Sequence, residues 1–160
     1  MKSLLTAAFR SVTDPGLQPT RLPAGLDLAA SHAQSLALLV ARLYLAQVFF
    51  LSGLTKLRDW SSTLALFNDV YQVPLLPPTL AAYMGTAGEL ALPVFLVLGL
   101  AGRFAGAGLF VVNLMAALSL SADDFSPAAQ AQHTLWGVLA LAVLLFGAGR
   151  WSVDRFIRAA

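Results

Sequence analysis

Apolar residues in this chain run in blocks instead of alternating with polar ones. The stretch LALLVARLYLAQVFFLSGLTKL, from Leu36 to Leu57, is apolar almost throughout, and three further blocks follow it. Crossing about 30 Å of hydrocarbon takes around 20 apolar residues, and as few as about 17. The pattern therefore predicts four helical spans, near Ser35–Leu54, Thr79–Leu100, Phe104–Leu120 and Thr134–Ala148. The expected fold is all-α, an integral membrane four-helix bundle formed by residues 35–160.

The segments between the blocks differ in character. In RDWSSTLALFNDVYQVPLLPP, Trp60, Leu64, Phe67 and Tyr71 recur at helical spacing until Pro74, Pro77 and Pro78 end the pattern. This is a short amphipathic helix between spans one and two, with rings suited to the headgroup zone. Pro77 and Pro78 then open span two, where a first-turn N–H has no partner to lose. LAGRF is short enough only for a helical hairpin. The loop SADDFSPAAQAQH carries Asp123, Asp124 and His133. Gly85–Gly88 and Gly102–Gly108 are rich in small residues, which let helix backbones approach. The first 34 residues, with Pro15, Pro19, Pro23 and scattered charges, lack the apolar core of a signal peptide. They read as a polar tail with a surface helix from Lys2 to Val12.

Composition confirms the class. Hydrophobic residues make up 58% and charged residues 11%, against roughly 45–50% and about 25% in ordinary globular proteins. A nucleic-acid partner is excluded: the net charge is only +2, and the cations sit at block ends, not in one stripe. They orient the chain instead. With a cytoplasmic amino terminus, Lys2, Arg10, Arg21, Arg103, Arg150, Arg155 and Arg158 fall inside, and only Lys56 and Arg58 outside. Both termini are thus expected in the cytoplasm. The chain has no cysteine, so thiol chemistry, thiolate metal sites and iron–sulfur ligation by its own residues are excluded.

Polar residues inside the blocks are the candidates for function. Arg42 in span one carries an insertion cost of roughly 2.5–3.5 kcal/mol and calls for a partner, for which Glu89 in span two lies at a suitable depth. Such a pair either locks helix register or forms a charged pocket for a polar head group or a proton relay. Asn113 in span three either completes that cluster or bridges two helices by a hydrogen bond. His133, with Trp136 one turn on, opens span four as a quinone or metal contact or as an interfacial hydrogen-bonding residue. Lys56 ends span one, where snorkelling to the interface is the simplest role. His32 and His133 fall on opposite faces and cannot ligate one haem. No metal site, nucleotide loop or nucleophile elbow is evident.

In order along the chain, ARLYLAQVFFLSGLTKLRDW, YQVPLLPP, GELALPVFLVLGLAGRFAG and PAAQAQHTLWGVLALAVLLFGAGRWSVD resemble the DoxX family of small bacterial inner-membrane proteins. The resemblance spans Leu36 to Asp154 and falls on Arg42, Gly53, Lys56, Glu89, Pro93, His133 and Asp154. It implies a multi-pass bundle serving as a membrane subunit of a quinol oxidase, a thiosulfate:quinone oxidoreductase or an oxidative-stress complex. Two functions are then expected. One is a redox subunit that holds a quinone head group near Arg42, Glu89 and Asn113, with no covalently bound cofactor, working with partner redox proteins or as a homo-oligomer. The other is a non-catalytic scaffold that docks partners through the amphipathic helix.

Overall fold

In the computed structural model the described residues are 24–121 and 125–159, with side chains from Leu28 to Ile157 apart from residues 122–124. The expected surface helix at Lys2–Val12, like Asp123 and Asp124, lies outside them. The described residues form six helices and no strand. These are α1 (Ala24–Arg58), α2 (Trp60–Asp69), α3 (Pro78–Leu98), α4 (Gly102–Ser119), α5 (Pro127–Phe146) and α6 (Val153–Ala159). Four of them, α1, α3, α4 and α5, are long and apolar enough to cross a membrane. The first span extends further toward the amino terminus than expected, and α5 starts at Pro127, not Thr134, because Ser126 caps it and Pro127 occupies its first turn.

Packing runs α1 on α3, α3 on α4, α4 on α5 and α5 back on α1, which closes an up-and-down bundle with α1 opposite α4. Its core is built from Leu45, Phe49, Leu96, Leu109, Ala140 and Val143. Most other large apolar side chains face outward, among them Val40, Leu51, Val94, Phe104 and Val138, as they must where lipid replaces water. The bundle has two dissimilar ends. One carries the start of α1, the α3–α4 turn and α6; the other carries α2.

At the α2 end, Asp59 caps α2 by accepting from the Ser62 N–H at 3.0 Å. The hydroxyls of Ser62 and Ser61, together with that N–H, hold the Asp59 pKa down to about 2, so the cap stays anionic. The apolar face of α2 turns onto its own bundle: Phe67 is buried with Ala81 and Ala82, Tyr71 packs edge-on against Phe67, and Trp60 stacks on Tyr83 with ring centroids 4.8 Å apart. The following loop is tied down by a bond from the Gln72 N–H to the Ser119 carbonyl, 2.9 Å.

At the opposite end, α4 has no side-chain cap from its own neighbourhood. Asp154 supplies one from far along the chain, its two carboxylate oxygens accepting from Ala101 N at 2.7 Å and Gly102 N at 2.9 Å. The Asp154 N–H returns a bond to the Gly99 carbonyl, 3.1 Å. Arg42, with no exposed surface, donates from Nη2 to the Trp151 carbonyl at 2.7 Å and lies within the field of the Asp154 carboxylate. Gly99 makes this possible. It ends α3 in the left-handed region at φ 65°, and a side chain there would collide with the Arg42 guanidinium. The Asp154→Ala variant loses two charge-assisted bonds and leaves Arg42 without its nearest carboxylate. It should destabilise the bundle by about 3 kcal/mol, seen as a lowered melting temperature in mild detergent, while unaltered melting would remove Asp154 from this role.

Candidate functional site

The pairing of Arg42 with Glu89 expected from sequence does not form. Glu89 instead holds Lys56, whose Nζ donates to Oε1 at 2.8 Å and Oε2 at 2.7 Å, and to Ser52 Oγ at 3.0 Å. Helix geometry explains the exchange of partners. Side chains lean toward the amino end of their helix. On the antiparallel pair α1 and α3, that tilt sends Lys56 down into the bundle and Glu89 up to meet it, while Arg42 is aimed away from both. Arg42 and Lys56 are also separated by about 21 Å along α1, at 1.5 Å per residue. Lys56 therefore does not snorkel to the interface. It ends as a half-buried ammonium, 21% exposed, against a carboxylate 8% exposed.

Gly53, one turn before Lys56, sets the close approach that the pair needs. A Cβ there would fall 2.8 Å from the Leu90 side chain and 3.2 Å from Glu89 Cβ. Ser52 and Lys56 sit four residues apart on one face of α1, which is why the hydroxyl joins the pair. That spacing was visible in the sequence, although Ser52 was not among the expected site residues.

Asn113 takes the helix-bridging role. Its Nδ2 donates to the His133 carbonyl at 2.9 Å, which turns its amide oxygen to His133 Nδ1, also 2.9 Å away. An amide oxygen only accepts, so the ring proton belongs on Nδ1, and Nε2 of the neutral imidazole is an acceptor. The ring is held further by edge contacts with Phe125 and Trp136, centroids 5.6 and 5.0 Å away. Trp136 in turn packs on Phe49, and its Nε1 donates to the Tyr44 hydroxyl at 3.4 Å.

These groups meet around a cavity of about 340 Å³. Lys56, Glu89 and Ser52 line one part of it, His133 and Trp136 another, and Phe67, Tyr71, Val73 and Leu76 contribute from α2 and the loop behind it. Four of the six expected site residues thus border the cavity or its ion pair. Asn113 acts through His133, and Arg42 belongs to the other end of the bundle. Among the described residues no group of three or more His, Asp or Glu could hold a metal ion.

Residues 37–122 match the family model DoxX. The chain belongs to the DoxX family. An uncharacterized protein of Haemophilus influenzae is 30% identical over 129 residues, which cover 76% of this chain and 83% of that protein. No solved structure matches. The matched segment of this DoxX chain holds Arg42, Gly53, Lys56, Glu89 and Asn113, so both the ion pair and the α1 arginine lie within it; His133 and Asp154 lie beyond it. The DoxX assignment and the four apolar helices together make this a multi-pass membrane protein.

The Lys56–Glu89 pair should behave as a unit. Lys56→Met or Glu89→Leu alone strands a charge between helices and should cost about 3 kcal/mol, whereas the double variant should recover most of that loss. Thermal unfolding of the four proteins in one detergent measures the cycle, and additive losses would show that the two side chains are not coupled.

Proposed function

We propose that the cavity holds the head group of a membrane quinone, and that this DoxX chain is the membrane subunit of a quinone-linked redox complex of the bacterial inner membrane. The observation that carries this reading is an ion pair, with a histidine nearby, opening into a mostly apolar, aromatic-lined cavity between membrane-spanning helices. About 340 Å³ lies at the lower end of small-molecule pockets, roughly 300–1,000 Å³, a size suited to one ring with its substituents.

The donor and acceptor set fits such a ring. Lys56 donates to a quinone carbonyl with the N–H that otherwise bonds Ser52 Oγ; His133 Nε2, the acceptor left by the Asn113 contact, receives the hydroxyl of the reduced form. Phe49 and Trp136 offer flat apolar surface beside it. The quinone supplies two-electron, two-proton chemistry, and the electrons come from a partner that carries its own redox centre. Glu89 and His133 are the titratable groups that exchange the protons. Both termini lie in the cytoplasm on this reading. Arg103, Arg150 and Arg155 gather at the end with α6, and the inward turn of Lys56 leaves Arg58 as the exposed cation of the α2 end among the described residues. The alternative, a scaffold that docks partners through α2, would have to use rings already engaged with the bundle, as Trp60 is with Tyr83 and Tyr71 with Phe67.

Trp136 lines the cavity and reports on it. With Trp60→Phe and Trp151→Phe leaving it as the sole tryptophan, a short-chain quinone should quench its fluorescence saturably. Adding Lys56→Met with Glu89→Leu should remove the saturable component. Equal quenching in the uncharged cavity would overturn the reading.

A further inference from the structure

On the face of the bundle formed by α1 and α3, away from the Lys56–Glu89 cavity, lies a second concavity of about 560 Å³. Leu43, Phe50 and Leu51 of α1 and Val94, Val97 and Leu98 of α3 form its walls, and the small Ala46 lies buried beside them. Every one of these side chains is apolar and suits lipid. The exception in this groove is Gln47.

Gln47 is exposed, and its side-chain amide makes no hydrogen bond with any described residue. It lies five residues beyond Arg42, which is drawn to the α6 end of the bundle, and nine before Lys56, which turns back from the α2 end. That places it near the middle of the apolar stretch Leu36–Leu57, too deep for a glutamine to reach either headgroup layer. An amide facing hydrocarbon forgoes hydrogen bonds that lipid tails cannot replace. Polar side chains inside membranes accordingly face other protein and join helices across an interface.

We propose that two copies of this chain associate through the α1–α3 groove, with Gln47 of one copy hydrogen-bonded to Gln47 of the other. A carboxamide carries both donors and an acceptor, so a symmetric pair satisfies both side chains with two reciprocal bonds. Two copies inserted in the same orientation are related by an axis along the membrane normal, which brings the same residue to the same depth in each. The apolar stripe Leu43, Phe50 and Leu51 on either side of Gln47 then packs against its counterpart. This pairing leaves the Lys56–Glu89 cavity free in each copy, so it stands apart from the quinone reading.

The absence of cysteine makes the test clean, because a single introduced thiol is the only one present. Leu51→Cys, expressed in native membranes and oxidised, should give a disulfide-linked dimer; Val138→Cys, on the lipid-facing side of α5, should not. In the Leu51→Cys background, Gln47→Leu should lower the dimer yield by about fivefold to tenfold, as expected for losing two interhelical hydrogen bonds, and Gln47→Asn should retain most of it. Either no dimer from Leu51→Cys, equal dimer from Val138→Cys, or a yield indifferent to Gln47→Leu would overturn the proposal. A cross-link to a different protein would overturn it as well, by assigning the groove to another occupant.

Discussion

A charge placed between helices in a membrane must be answered by another group of the protein, and two such answers organise this chain. Lys56 meets Glu89 through both carboxylate oxygens, and Arg42 meets the Trp151 carbonyl under the field of Asp154. Each fixes a pair of elements that apolar packing alone would leave free to slide. The first sets the register of α1 on α3, which Gly53 permits to approach closely. The second draws the segment before α6 back onto the bundle, where Asp154 caps α4 and Gly99 leaves space for the guanidinium. The arginine thus ties α1 to the segment before α6, while the lysine and glutamate stand at the wall of a cavity.

That division of labour matters for function. A buried ion pair by itself is weak evidence of a site, since such pairs also serve specificity. What distinguishes Lys56 and Glu89 is their surroundings: a cavity, aromatic rings, and a histidine whose tautomer is set by Asn113 so that its remaining nitrogen accepts. Arg42 lies apart from them, at the other end of the bundle, bonded to the Trp151 carbonyl. It is buried against the α3–α4 turn, with Nε and Nη1 making no hydrogen bond to a described residue.

Much of the architecture could be read from the chain because lipid enforces it. Four apolar blocks gave four spans, and the aromatic periodicity from Trp60 to Tyr71 gave α2. Gly53 and the small residues from Gly102 to Gly108 mark places where another group approaches, although only the structure shows which group. Partner choice was less visible. Depth counted along the sequence put Arg42 and Glu89 within reach of each other, but it omitted the tilt of side chains toward the helix amino end, which reverses the preference in favour of Lys56. The same omission made Lys56 look like a snorkelling residue. Asp154 capping α4 was hidden for a different reason. A cap supplied from a distant segment leaves no local pattern of the kind that Ser126 and Pro127 leave at the start of α5. The aromatic face of α2, which amphipathic spacing suggested for the headgroup zone, is spent mainly on Ala81, Ala82 and Tyr83 of its own bundle.

The central claim is that the Lys56–Glu89 cavity takes a quinone head group in the membrane where the protein works. Native mass spectrometry of the protein extracted from its own membranes in mild detergent tests it most directly, because it reads the bound molecule without supplying one. The account predicts a quinone retained in stoichiometric amount by the unaltered chain and missing from the Lys56→Met, Glu89→Leu double variant. A chain free of quinone, or one that keeps it equally well without the ion pair, would contradict it.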